Sequence, residues 1–122
     1  MKIISPKKLL WGIFIGTLGL SRLPAQDLPV ILSGKSEPTD TGLKIEFLLS
    51  SYIERADVSS WIEQDNWFIL NFYNIIRPEA GFFDSMINYP LEGIQQAWSQ
   101  NSLQLSFQIS RKIGSFDVMI SN

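Results

Sequence analysis

The chain has 122 residues, 45% of them hydrophobic and 18% charged, a composition that suits one folded domain and leaves little room for a second. It contains neither histidine nor cysteine, so imidazole and thiol catalysis, Ser-His-Asp triads, disulfides, zinc fingers and haem attachment are excluded together. A net charge of −2 argues against a nucleic-acid binder, which carries a basic face.

Residues 1–25 have the three-part pattern of a secretory signal peptide: Lys2, Lys7 and Lys8, then the apolar run Leu9 to Leu20, then a polar stretch ending at Ala25. The apolar run is 12 residues long, whereas a bilayer-spanning helix needs about 20. A helical leader cleaved near Gln26 is therefore expected. A bacterial lipid anchor requires a cysteine at the new N-terminus, and the sequence has none. The expectation is a soluble periplasmic protein that meets the membrane only through its uncleaved signal peptide. Residues 26–122 would then form the single working domain. That domain keeps six basic side chains against all 12 acidic ones, a net charge of −6, which disfavours nucleic acid and other anionic partners.

The mature sequence alternates with a period of two. Leu43, Ile45, Phe47 and Leu49 form one apolar row, and Leu103, Leu105, Phe107 and Ile109 form another; Phe116, Val118 and Ile120 make a third. Each row predicts a strand with one face on a core and the other in water. Strands are expected near 28–33, 43–50, 53–62, 67–74, 93–99, 103–110 and 115–121. Turn-forming residues separate them: the polar loop Gly34 to Gly42, the short turn Gln64-Asp65-Asn66, Asn101-Ser102, and Lys112 to Gly114. Ile76 to Pro90 is the longest irregular stretch and is expected to cross between sheets, with room for a short helical turn. WFILNFY is apolar on both faces and reads as a central strand. About seven short strands in under 100 residues predict an all-β fold, a small β-sandwich of two sheets preceded by the signal-peptide helix. Ile45, Phe47, Phe68, Leu70, Leu105, Phe107 and Val118 are the expected core.

Carboxylates are the remaining acid-base option, and Asp57, Glu63, Asp65, Glu79 and Asp84 are the candidates. Their spacing selects no pair of the kind glycosidases use. Scattered glycines offer no phosphate cradle, and neither a metal nor a cofactor is implied. No enzyme is expected. Aromatic residues are more informative, because the apolar C–H face of a sugar packs on an aromatic ring. Trp61 and Trp67 flank the turn at Gln64 and Asn66. A hairpin through that turn would bring both rings near each other, with the two amides able to donate and accept.

VSSWIEQDNWFILNFYNI, a strand, a short polar turn and a second apolar strand, followed later by the LQLSFQI hairpin and a short closing strand, resembles the AMIN domain. That domain occurs in bacterial envelope proteins such as cell-wall amidases and the secretins of pilus machines. The resemblance covers residues 28–122. Asn71 stands where an aspartate is common in the family, and Trp67 where an arginine is frequent. The resemblance implies a two-sheet sandwich that associates with peptidoglycan or with an envelope assembly. The alternative it leaves open is an accessory subunit of an outer-membrane secretin or pilus-type machine, without glycan binding.

Overall fold

The computed structural model describes the backbone of residues 10–17 and the whole of residues 28–121. Eight strands form: β1 (Leu10–Thr17), β2 (Ile31–Thr39), β3 (Gly42–Leu49), β4 (Val58–Glu63), β5 (Trp67–Phe72), β6 (Leu91–Ser99), β7 (Ser102–Ile109) and β8 (Ser115–Ser121). They make two four-stranded sheets, ordered β2-β3-β1-β8 and β4-β5-β7-β6. The seven strands expected between residues 28 and 121 are thus present, and β1 is an eighth. The expected leader spans residues 1–25, of which 1–9 and 18–25 lie outside the described residues. Within it, Leu10–Thr17 runs as a strand parallel to both β3 and β8.

The apolar rows meet between the sheets. All seven expected core residues are buried, along with Leu43, Leu49, Phe72, Leu103 and Ile109. Phe47 of β3 is the centre of the packing. Its ring lies 5.9 Å from Phe72 and 6.3 Å from Phe107 on the opposite sheet, and 6.0 Å from Phe83 of the long connection. The Phe72 and Phe83 contacts are edge-on, the arrangement that ring quadrupoles favour.

Three expectations are corrected. Gly34 to Gly42 is not a loop: β2 continues to Thr39, and only Asp40 and Thr41 turn the chain into β3. Its polar composition suits an edge strand. Lys35 registers with Glu46, at 3.5 Å between charged atoms, and Glu37 registers with Lys44. Pro38, which cannot donate to a ladder, is tolerated at an edge. Gly34 is required there by space, since a Cβ would stand 2.7 Å from Met86 Sδ and 3.0 Å from the Phe47 ring.

The strand expected at 53–62 begins only at Val58, because Arg55–Asp57 form a 3₁₀ turn and Ile53 plugs the core ahead of it. The connection after β5 does not carry the chain to the other sheet. It leaves β5 and returns to β6 of the same sheet, with β7 between them. On the way a 3₁₀ turn, Asp84–Met86, packs on β2, where Ser36 Oγ donates to the Met86 carbonyl. Phe83 and Met86 are buried there, so the connection closes one side of the sandwich. The Tyr89–Pro90 peptide is cis.

Candidate functional site

The two outer faces differ in chemistry. On the first sheet the outward positions of β2 and β3 include Lys35, Glu37, Lys44 and Glu46, and Asp117 lies on β8. On the second sheet aromatic, amide and hydroxyl groups predominate, with Glu63 and Ile69 among them.

That second face is built by the β4–β5 hairpin and continued by β7 and β6. Ser59, Trp61 and Glu63 of β4 register with Asn71, Ile69 and Trp67 of β5. Asn71, Ile69 and Trp67 register in turn with Gln104, Ser106 and Gln108 of β7. Gln95 of β6 extends the Ser106 row. Because residues two apart on a strand share a face, and so do cross-strand partners, all of these lie on one surface. Among its register-paired residues Glu63 alone is charged.

Ile69 is the middle of the face. It is 3% exposed although it stands outside the core cluster, so the surface side chains around it shield it from water. Trp61 is its register partner on β4 and is 37% exposed. Trp67 is half-buried two residues along β5. The Trp61 indole Nε1 donates to Glu63 Oε2 at 3.3 Å, which restrains the indole along the strand. At the other end, the Tyr73 phenol lies 3.3 Å from Ser59 Oγ and accepts from Asn71 Nδ2 at 3.4 Å. Tyr73 is itself exposed.

The hairpin tip is rigidly fastened. Gln64 and Asp65 have left-handed backbones, with φ of 52° and 65°. The Ile113 N–H donates to the Asp65 carbonyl at 2.7 Å, and the Ile109 N–H donates to the Asn66 carbonyl at 2.9 Å. Asn66 Nδ2 donates to the Ile109 carbonyl at 3.4 Å.

The four expected site residues therefore divide. Trp61 and Trp67 share the face. Gln64 is exposed at the tip. Asn66 uses its amide to tie the tip to the end of β7. Asn71, Tyr73, Gln104, Ser106 and Gln108 are members of the face that sequence reasoning did not select. The alternation around LQLSFQI carried the signal for the last three, since it put Gln104, Ser106 and Gln108 outside.

Trp98 belongs elsewhere. It registers with core-facing Leu103 at the β6 edge, and the Arg77 guanidinium lies 5.5 Å from its ring centroid. The five carboxylates considered earlier are spread over separate elements. Asp57 accepts from Asn74 Nδ2 at 3.4 Å, Glu63 holds the Trp61 indole, Asp65 is in the tip, and Glu79 and Asp84 lie in the long connection. Among the described residues there is no group of three acidic side chains placed to hold a metal ion. Compared with protein-family models, with curated proteins and with solved structures, the chain shows no match.

Proposed function

We propose that the chain is an exported, non-enzymatic AMIN-like module that binds the glycan of peptidoglycan through the outer face of β4, β5, β7 and β6. The observation that carries this reading is the make-up of that face: two tryptophans and a run of neutral amides and hydroxyls in adjacent register rows, with Glu63 as its one paired charge. Sugar rings present apolar C–H faces and many hydroxyls. Indole rings take the former, while Asn and Gln side chains donate to and accept from the latter. An acidic domain gains nothing from charge attraction to an anionic wall, so the contact must come from stacking and neutral hydrogen bonds.

Co-sedimentation of the exported protein with purified peptidoglycan sacculi tests this. Binding should survive salt near 1 M, where the screening length falls to about 3 Å. Protein that stays in the supernatant at every salt concentration overturns the reading.

A second reading, an accessory subunit held in an envelope assembly through a sheet edge, is favoured by one observation: β8 joins its sheet through β1 alone.

A further inference from the structure

Among the described residues, β1 alone bridges β3 and β8 in the first sheet. Gly42 to Leu49 of β3 register with Leu10 to Thr17 on one side, and Ser115 to Ser121 of β8 register with Leu10 to Gly16 on the other; both pairings are parallel. Without β1, the walls β3 and β8 stand two strand spacings apart, about 9.5 Å. Each then presents a row of unpaired backbone groups. Such open edges invite pairing with another chain.

The walls have anchors of their own. Val118 of β8 is buried in the core, the Phe116 ring meets Phe68 edge-on at 4.9 Å, and Arg55 Nη1 donates to the Val118 carbonyl at 3.1 Å. On the other wall Leu43, Ile45, Phe47 and Leu49 are buried. The Phe116–Phe68 and Arg55–Val118 contacts are made to groups outside β1. The strand that fills the gap is also the apolar stretch of the expected leader, which export would remove.

We propose that the mature chain carries a strand-wide slot between β3 and β8, closed in trans by an extended apolar segment of a partner envelope protein lying parallel to both walls. This rests on the export reading above. The chemistry of the partner segment follows from the walls. Leu43 is level with Phe116, Ile45 with Val118, and Phe47 with Ile120, through shared register at positions 11, 13 and 15. These pairs face the core, so the segment must bring apolar side chains at three alternate positions. The intervening levels are flanked by Lys44 with Asp117 and by Glu46 with Met119, and they accept small or polar residues. Main-chain hydrogen bonds form on both sides of the inserted strand, so recognition doubles the usual one-edge β-augmentation.

The test uses protein exported from the full chain and purified from the envelope fraction, with its N-terminus sequenced. The probe is a synthetic peptide of residues 10–17 flanked by lysines; a scrambled peptide and an Ile13→Pro peptide serve as controls. One peptide should bind per chain, and at about 100 times its Kd it should raise the melting temperature by roughly 10–20 °C. Backbone amides of β3 and β8 should exchange more slowly with solvent, and the two control peptides should do neither. Folded protein that begins near Gln26 yet binds the probe no better than the scrambled peptide overturns the slot and leaves export standing. A dimer that the probe cannot dissociate also overturns it, because a second copy then fills the gap. Recovery of Met1 on the purified protein overturns the export reading, and trans closure with it, since the chain's own strand then stays in place.

Discussion

Trp61 and Trp67 lie on one face of the β4–β5 hairpin as diagonal neighbours: Trp61 registers with Ile69, and Trp67 with Glu63 in the next row. Diagonal positions of this kind are within reach of large aromatic side chains. The pair brackets the buried Ile69 and opens onto the Gln104–Ser106–Gln108 row of β7. The strip carries indoles at one end and amides beyond it, groups that stack on the C–H faces of sugar rings and bond their hydroxyls.

Trp61→Ala should separate binding from folding. The ring is 37% exposed and covers part of Ile69, so its loss should cost about 1 kcal/mol of stability, well short of a core change. Losing an aromatic anchor costs an interface more than about 1 kcal/mol. Peptidoglycan affinity should fall several-fold, while the melting temperature drops by no more than about 8 °C and the protein stays folded under the binding conditions. Thermal melts and sedimentation with sacculi check both halves. A variant that binds as wild type makes the ring structural.

Phe47→Ala should be among the most damaging single changes. The ring is fully buried and meets three other phenylalanines across the sandwich. Phe-to-Ala core changes cost about 3–5 kcal/mol, a large share of a typical stability of roughly 5–15 kcal/mol. Urea unfolding of the purified variant gives the value; a loss under about 1 kcal/mol would contradict the packing described.

The sequence made much of this legible, and the failures have physical causes. Rows such as Leu103, Leu105, Phe107 and Ile109 revealed the core because each faces one way on a half-wet strand. β2 was hidden beyond Ser33. An edge strand needs little apolar surface, so KSEPT carries no period-two signal although Gly34 and Ser36 face inward against Met86. The outer face was only partly visible. Trp61, Gln64, Asn66 and Trp67 are neighbours in sequence, but Asn71 meets Gln104 only through the β5–β7 pairing, which links segments far apart in the chain. Asn66 looked like a binding amide because its hydrogen bond to Ile109 depends on that same distant strand.

Gly34 and Gly93 should respond differently to alanine. At Gly34 the new methyl would overlap Met86 Sδ and press the Phe47 ring, whereas at Gly93 its nearest neighbour is Gln108 Oε1 at an ordinary 3.6 Å. Overpacking costs about 1–3 kcal/mol. Gly34→Ala should melt well below wild type and Gly93→Ala close to it. Equal melting temperatures would show that β2 is not held against Met86 as described.

Tyr89 should ionise below the ordinary tyrosine range as pH rises. A hydrogen bond from Arg111 to the phenol oxygen, reinforced by the Arg111 charge, lowers its pKa below the usual value near 10. Arg111 Nε donates to the phenol oxygen at 3.2 Å. A lowered acid pKa favours the folded state only above the unfolded value near 10, and the gain disappears as pH falls through the folded value. Stability at neutral pH is therefore untouched. Ultraviolet titration should show tyrosinate forming early, and Arg111→Ala should delay it; an unchanged titration would contradict the pairing.

The proposed glycan binding is tested most directly by nuclear magnetic resonance titration of the isotopically labelled protein with soluble disaccharide–peptide fragments of peptidoglycan. Shifts should concentrate on the Trp61 and Trp67 indole N–H signals and on the side-chain amides of Asn71, Gln104 and Gln108, while Lys44, Glu46 and Asp117 on the opposite outer face stay still. Shifts confined to that opposite face, or none at saturating fragment, would contradict the account.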